Sequence, residues 1–87
     1  MATERCWLAR EVGARQITVN TVSPGFTDTE TFAGLPQPVI STAAARTPLG
    51  RLGRPEDVAS VVAWLCTGAA GWITGQNTQV GGGLNMV

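Results

Sequence analysis

Ile17-Thr18-Val19-Asn20-Thr21-Val22-Ser23-Pro24-Gly25-Phe26-Thr27-Asp28-Thr29 is the stretch on which the fold of this chain turns. Ile17, Val19 and Val22 are β-branched and apolar, with Thr18 and Thr21 between them, a composition that favours pleated backbone. The strand should stop at Pro24-Gly25. Pro24 removes a backbone donor and biases Ser23 toward extended geometry, while Gly25 permits a turn or a close approach to the backbone. A Pro-Gly pair after a strand most often marks a turn and nothing more. It also marks the place where open α/β sheets bind ligands, at the carboxyl ends of their strands.

Upstream, residues 3–12 read as a helix, with Leu8 and Val12 paired at i, i+4 and Gly13 as its C-cap. The helix has little room for an N-cap, and the expectation is that it has been cut. Downstream, residues 30–50 hold Gly34, Pro36, Pro38 and Pro48, with Gly50 closing the stretch around the small run Ser41–Ala45. Such a long connection, with one or two short helices, reads either as a lid or as slack. A helix from Pro55 to about Cys66 follows, with Pro55, Glu56 and Asp57 suited to its first turn. Val58, Val61, Val62 and Leu65 make one apolar stripe on it. The end of the chain offers a turn at Gly75, a strand Asn77–Val80 and a strand-end turn at Gly81-Gly82-Gly83. The order is helix, strand, lid loop, helix, strand. Its strand–helix–strand part is a βαβ unit, which cannot bury both faces of a parallel sheet alone. The expected class is α/β, a carboxyl-terminal fragment of a doubly wound sheet.

Composition narrows the chemistry. In 87 residues the net formal charge is zero, with 44% hydrophobic and 14% charged residues. A neutral chain has no electrostatic footprint for nucleic acid or an anionic membrane. No signal peptide or membrane-length apolar run is visible, so a cytoplasmic location is expected. Cys6 and Cys66 lack metal-ligand spacing and read as small packing residues. His, Tyr and Lys are all absent, which removes imidazole, phenol and amine acid–base chemistry. Carboxylates, hydroxyls and thiols remain, and no metal ligand is assigned.

Four segments together resemble the carboxyl-terminal part of the classical short-chain dehydrogenase/reductase family. They are Ile17-Thr18-Val19-Asn20-x-Val22-x-Pro24-Gly25, Pro48-Leu49-Gly50-Arg51-Leu52-Gly53-x-Pro55-Glu56-Asp57-Val58-Ala59, Ile73-Thr74-Gly75-Gln76 and Val80-x-Gly82-Gly83. The ending from Gly82 is similar to that of the 3-oxoacyl-(acyl-carrier-protein) reductase branch. The resemblance implies a partial Rossmann domain over residues 1–87, with the substrate lid at 30–50. It also implies NAD or NADP as cofactor of the parent fold. Pro24 and Gly25 would shape the nicotinamide wall, the Thr27 backbone would meet the carboxamide, and the Thr29 hydroxyl would lie near the carboxamide or pyrophosphate. Asn20 would be structural. The Pro55–Cys66 helix and the Asn77–Val80 strand would form a subunit contact, with a second copy or an intact relative. The family's glycine-rich dinucleotide loop, catalytic serine and Tyr-x-x-x-Lys have no counterpart here. Gln16 stands where a glycine is frequent, and Gly81 where an acidic or amide residue is. The chain alone is thus expected neither to bind the cofactor well nor to turn over. The alternative is a non-catalytic module that pairs with an intact subunit or with a separately encoded amino-terminal half.

Overall fold

The computed structural model describes residues 2–85. It contains α1 (Ala2–Val12), β1 (Thr21–Pro24), α2 (Glu30–Ala33), α3 (Gln37–Arg46), α4 (Pro55–Leu65) and β2 (Asn77–Val80). The two strands pair in parallel, in register from Thr21 opposite Asn77 to Pro24 opposite Val80. Three helices lie between them in sequence, as a parallel connection demands.

The ladder begins later than the β-branched run suggests. Residues 17–20 lie outside the strand, because their neighbour turns away at Gly75, which has φ +72°. Side chains and a backbone bond hold this segment instead. The Val19 amide donates to Thr74 Oγ1 (3.0 Å), and the Gly75 amide donates to the Val19 carbonyl (2.7 Å). The Asn20 carboxamide bridges both sides of the turn, donating to the Ile73 carbonyl and accepting from the Gln76 amide, each at 3.0 Å. Asn20 is therefore a structural clamp, satisfying backbone groups that the shortened ladder leaves over.

The expected cap at Gly13 is corrected. The chain continues as a 3-10 turn over Gly13–Arg15, and the left-handed residue is Gln16, at φ 61°. Its amide donates to the Gly13 carbonyl at 2.9 Å, closing the turn. A left-handed conformation costs a non-glycine residue about 1 kcal/mol or more. Gln16→Gly should therefore stabilise the fold by about 1 kcal/mol in a denaturant melt of the chain paired with its complementary amino-terminal part, and a loss of stability would refute this account.

α4 ends at Leu65, one residue short of the expected Cys66, which becomes its C-cap. The apolar stripe on α4 is partly covered. Val58, Val61 and Leu65 are half-buried where α4 meets both strands, and Val62 and Trp64 are exposed. Cys6 is half-buried against the Gly75 carbonyl, whereas Cys66 is exposed rather than packed. Among the described residues the buried apolar ones are all alanines, Ala9, Ala43 and Ala70, while Trp7, Leu8, Trp64 and Trp72 stand open to solvent. Among the described residues no helix is long and apolar enough to cross a membrane.

Candidate functional site at the carboxyl ends of the strands

The strands end where the two backbones touch. The Gly25 amide donates to the Val80 carbonyl at 3.2 Å, one step beyond the ladder. A Cβ on Gly25 would lie 2.8 Å from Gly81 Cα and 3.1 Å from its carbonyl oxygen. Gly25 is therefore required by contact with another backbone rather than by a positive φ. Gly81 is not equally constrained, since its own Cβ would sit 3.4 Å from its nearest neighbours, an ordinary contact. That explains how the position can hold a larger residue elsewhere in the family pattern.

Past Gly81 the chain turns at Gly82 (φ 62°) and Gly83 (φ 91°), closed by the Leu84 amide on the Gly81 carbonyl at 3.1 Å. Two successive positive φ values are what a glycine pair allows, so the triple glycine is a strand-end turn as expected. Gly82 also packs on buried Thr47, whose hydroxyl donates to the Ala43 carbonyl at 3.0 Å. The Leu49 amide donates to the Gly82 carbonyl (3.1 Å), tying the residue 47–50 turn to the same strand end.

Beyond Gly25 the chain makes a short parallel bridge, Thr27 opposite Gly53. The Gly53 amide donates to the Phe26 carbonyl (2.8 Å), and the Asp28 amide donates to the Gly53 carbonyl (2.7 Å). In parallel pairing these bonds use the residues on either side of the bridged one. The Thr27 amide and carbonyl therefore point to the opposite edge, and neither has a backbone partner among the described residues. The Thr27 hydroxyl folds back onto the Gly25 carbonyl at 3.1 Å, fixing the loop. Thr29 is the N-cap residue of α2, exposed and making no side-chain cap bond.

A cavity of about 260 Å³ opens on the Gly53 side of the strand ends, lined by Phe26, Thr47, Leu49, Arg51, Gly53, Asp57 and the Gln79–Gly82 segment. Its charged wall is an ion pair, Arg51 Nη1 to Asp57 Oδ2 at 2.8 Å. Asp57 also accepts from the Arg54 amide at 2.7 Å, capping α4 from the third helical position. The Arg51 hydrogen bond, followed by that of the Arg54 amide, holds the Asp57 carboxyl down at about 2. A carboxyl depressed in the folded state adds stability above its ordinary pKa of about 3.9, and that stability is lost as pH falls toward 2. Asp57→Asn should therefore flatten the stability profile between those pH values. An unchanged acid limb in a pH series of thermal melts would count against the cap.

Pro24, Gly25, Thr27 and Thr29 do not line this cavity. Pro24 and Thr29 are exposed, and Gly25 and Thr27 are half-buried at the strand end. The residues that sequence reasoning left out of the site are Arg51 and Asp57. Their signal was present as an acid at the third helical position with an arginine six residues before it. Among the described residues there is no cluster of His, Cys, Asp and Glu suited to a metal.

The family profile described as Enoyl-(Acyl carrier protein) reductase matches residues 5–85. The chain belongs to the short-chain dehydrogenase/reductase family. It is 47% identical over 79 residues to the 3-oxoacyl-(acyl-carrier-protein) reductase of Pseudomonas aeruginosa, covering 91% of this chain and 32% of the relative. It is 43% identical over 79 residues to the acetoacetyl-CoA reductase of Cupriavidus necator, at 91% and 32% coverage. The cis-4-hydroxycyclohexanecarboxylate dehydrogenase of Sinomonas cyclohexanicum is 49% identical over 74 residues, at 85% and 30%. The chain spans about a third of the length of these relatives.

Proposed function

We propose that this chain supplies the carboxyl-terminal part of an NAD(P)-dependent oxidoreductase acting on a carbonyl or alcohol, within a doubly wound Rossmann sheet. The observation that carries the reading is the free backbone edge of Thr27. A nicotinamide carboxamide needs one donor and one acceptor, and an unpaired amide and carbonyl on one residue offer that pair. Pro24 and Gly25 bring this edge to the strand end and form the wall beside it, and the Thr29 hydroxyl stands next along the chain. When bound, the cofactor supplies the hydride. The residues here hold and orient its nicotinamide end, and segment 30–50 covers the substrate. With no Tyr, Lys or His in the chain, protonation of the carbonyl oxygen falls to the family's serine and Tyr-x-x-x-Lys in the complementary part of the fold.

In this reading residues 1–87 are a partial domain that resides in the cytoplasm. The substrates named for its relatives, 3-oxoacyl and acetoacetyl thioesters and a hydroxylated ring carboxylate, frame the class it acts on. The Pro55–Cys66 helix and the Asn77–Val80 strand make the contact with a second subunit. A second reading, a non-catalytic module that pairs with an intact subunit or a separately encoded half, draws support from exposed Val62 and Trp64 on α4.

The test is complementation with the amino-terminal two-thirds of the Pseudomonas aeruginosa reductase, followed by nicotinamide absorbance. Turnover should be absent from the purified chain and present in the complex. Turnover by the chain alone, or a well-folded complex with none, overturns the proposal.

A further inference from the structure

A second cavity, of about 360 Å³, opens between the two short helices of the 30–50 segment and Phe26. Its walls are apolar. The rings of Phe26 and Phe32 meet edge to face, with centroids 5.9 Å apart, and Pro38, Val39 and Ala43 complete the lining. The hydroxyl of Thr42, also in the wall, donates to the Pro38 carbonyl of its own helix at 2.8 Å, so its proton is not available to a ligand. The one charged group is Arg46, in the last turn of α3, whose guanidinium carbon lies 6.0 Å from the Phe26 ring centroid. Among the described residues Arg46 has no ion-pair partner.

The volume lies at the small end of the ~300–1,000 Å³ range of ligand cavities. Apolar walls with a single planar cation select one kind of guest, a compact hydrocarbon skeleton carrying one carboxylate. A guanidinium fork fits the two carboxylate oxygens. A phosphate would need further donors that these walls do not provide. We propose that this cavity binds a carboxylate on a skeleton the size of cyclohexane or an octyl chain, with Arg46 pairing to the carboxylate. The inference rests on reading residues 30–50 as the substrate lid, and it assigns the substrate class as an oxo or hydroxy acid with its acid group free.

Calorimetry with octanoate and octanol tests it, on the full chain and on its complex with the relative's amino-terminal two-thirds. Octanoate should bind about tenfold more tightly than octanol. Arg46→Met should abolish that preference and leave octanol unchanged, while Phe32→Ala should weaken both. Equal binding of the two probes, an Arg46→Met variant that keeps its preference, or no binding in either form overturns the inference. Turnover separates this outcome from the fate of the parent reading. A complex that reduces neutral ketones as well as oxo acids, independently of Arg46, sinks the carboxylate site and leaves the oxidoreductase intact. Arg46-dependent carboxylate binding in a complex without turnover does the reverse.

Discussion

Gly25→Ala should be among the most damaging single methyl groups that can be added to this chain, costing about 3 kcal/mol, whereas Gly81→Ala should cost less than about 1 kcal/mol. Both glycines sit in the same backbone contact, so the contrast isolates direction from proximity. The new Cβ at Gly25 would point at Gly81 Cα from 2.8 Å and at its carbonyl from 3.1 Å. Those atoms are backbone and cannot rotate aside, so the strand ends must part. Parting them also strains the 3.2 Å bond from the Gly25 amide to the Val80 carbonyl, whose loss adds about 1 kcal/mol. At Gly81 the new Cβ would find its neighbours at 3.4 Å and beyond, with no positive φ to penalise it. Denaturant midpoints of the two variants in the complemented assembly check this, with solubility of the chain alone as a second readout. Equal midpoints would mean that the close approach at Gly25 does not hold the strand ends together.

The same contact shows what could be read from sequence. Pro24-Gly25 marked the strand end, and Asn77–Val80 marked its partner, because turn residues act locally and a few side chains suffice to reveal them. What the sequence could not show was which property of Gly25 mattered. A glycine chosen for conformation and one chosen for a neighbour 56 residues away look alike until the fold brings them together. The start of the strand was misplaced for a related reason. Ile17 and Val19 carry β-propensity, but a ladder also needs a partner, and Gly75 turns that partner away. Gln16 took the left-handed role expected of Gly13, and its one signal was that it stands where the family pattern often has glycine. Arg51 and Asp57 were legible as a motif but not as a pair. An ion pair six residues apart depends on how the turn between them is folded.

Complementation should also change the physical state of the chain, and this is the larger of its two expected effects. A monomer of 9.1 kDa is expected to expose about 4,900 Å². This chain exposes 6288 Å², an excess of roughly 1,400 Å². Its radius of gyration is 15.5 Å, against about 12 Å for a compact chain of this length. The excess is the burial that is missing inside, where among the described residues the buried ones are three alanines and Thr47, and Trp72 is wholly exposed. A two-stranded sheet is marginal in water, and the outer edge of β1 lacks a strand among the described residues. Alone, the chain should show a shallow, non-cooperative thermal transition and concentration-dependent association. With the amino-terminal two-thirds of a relative it should give a single sharp transition and a defined mass by light scattering, and turnover should appear in the same fraction. A sharp, concentration-independent transition from the chain alone would mean that its alanine core and two strands suffice. In that case the surplus surface would be a docking face of a self-sufficient module, and the second reading of its function would replace the first.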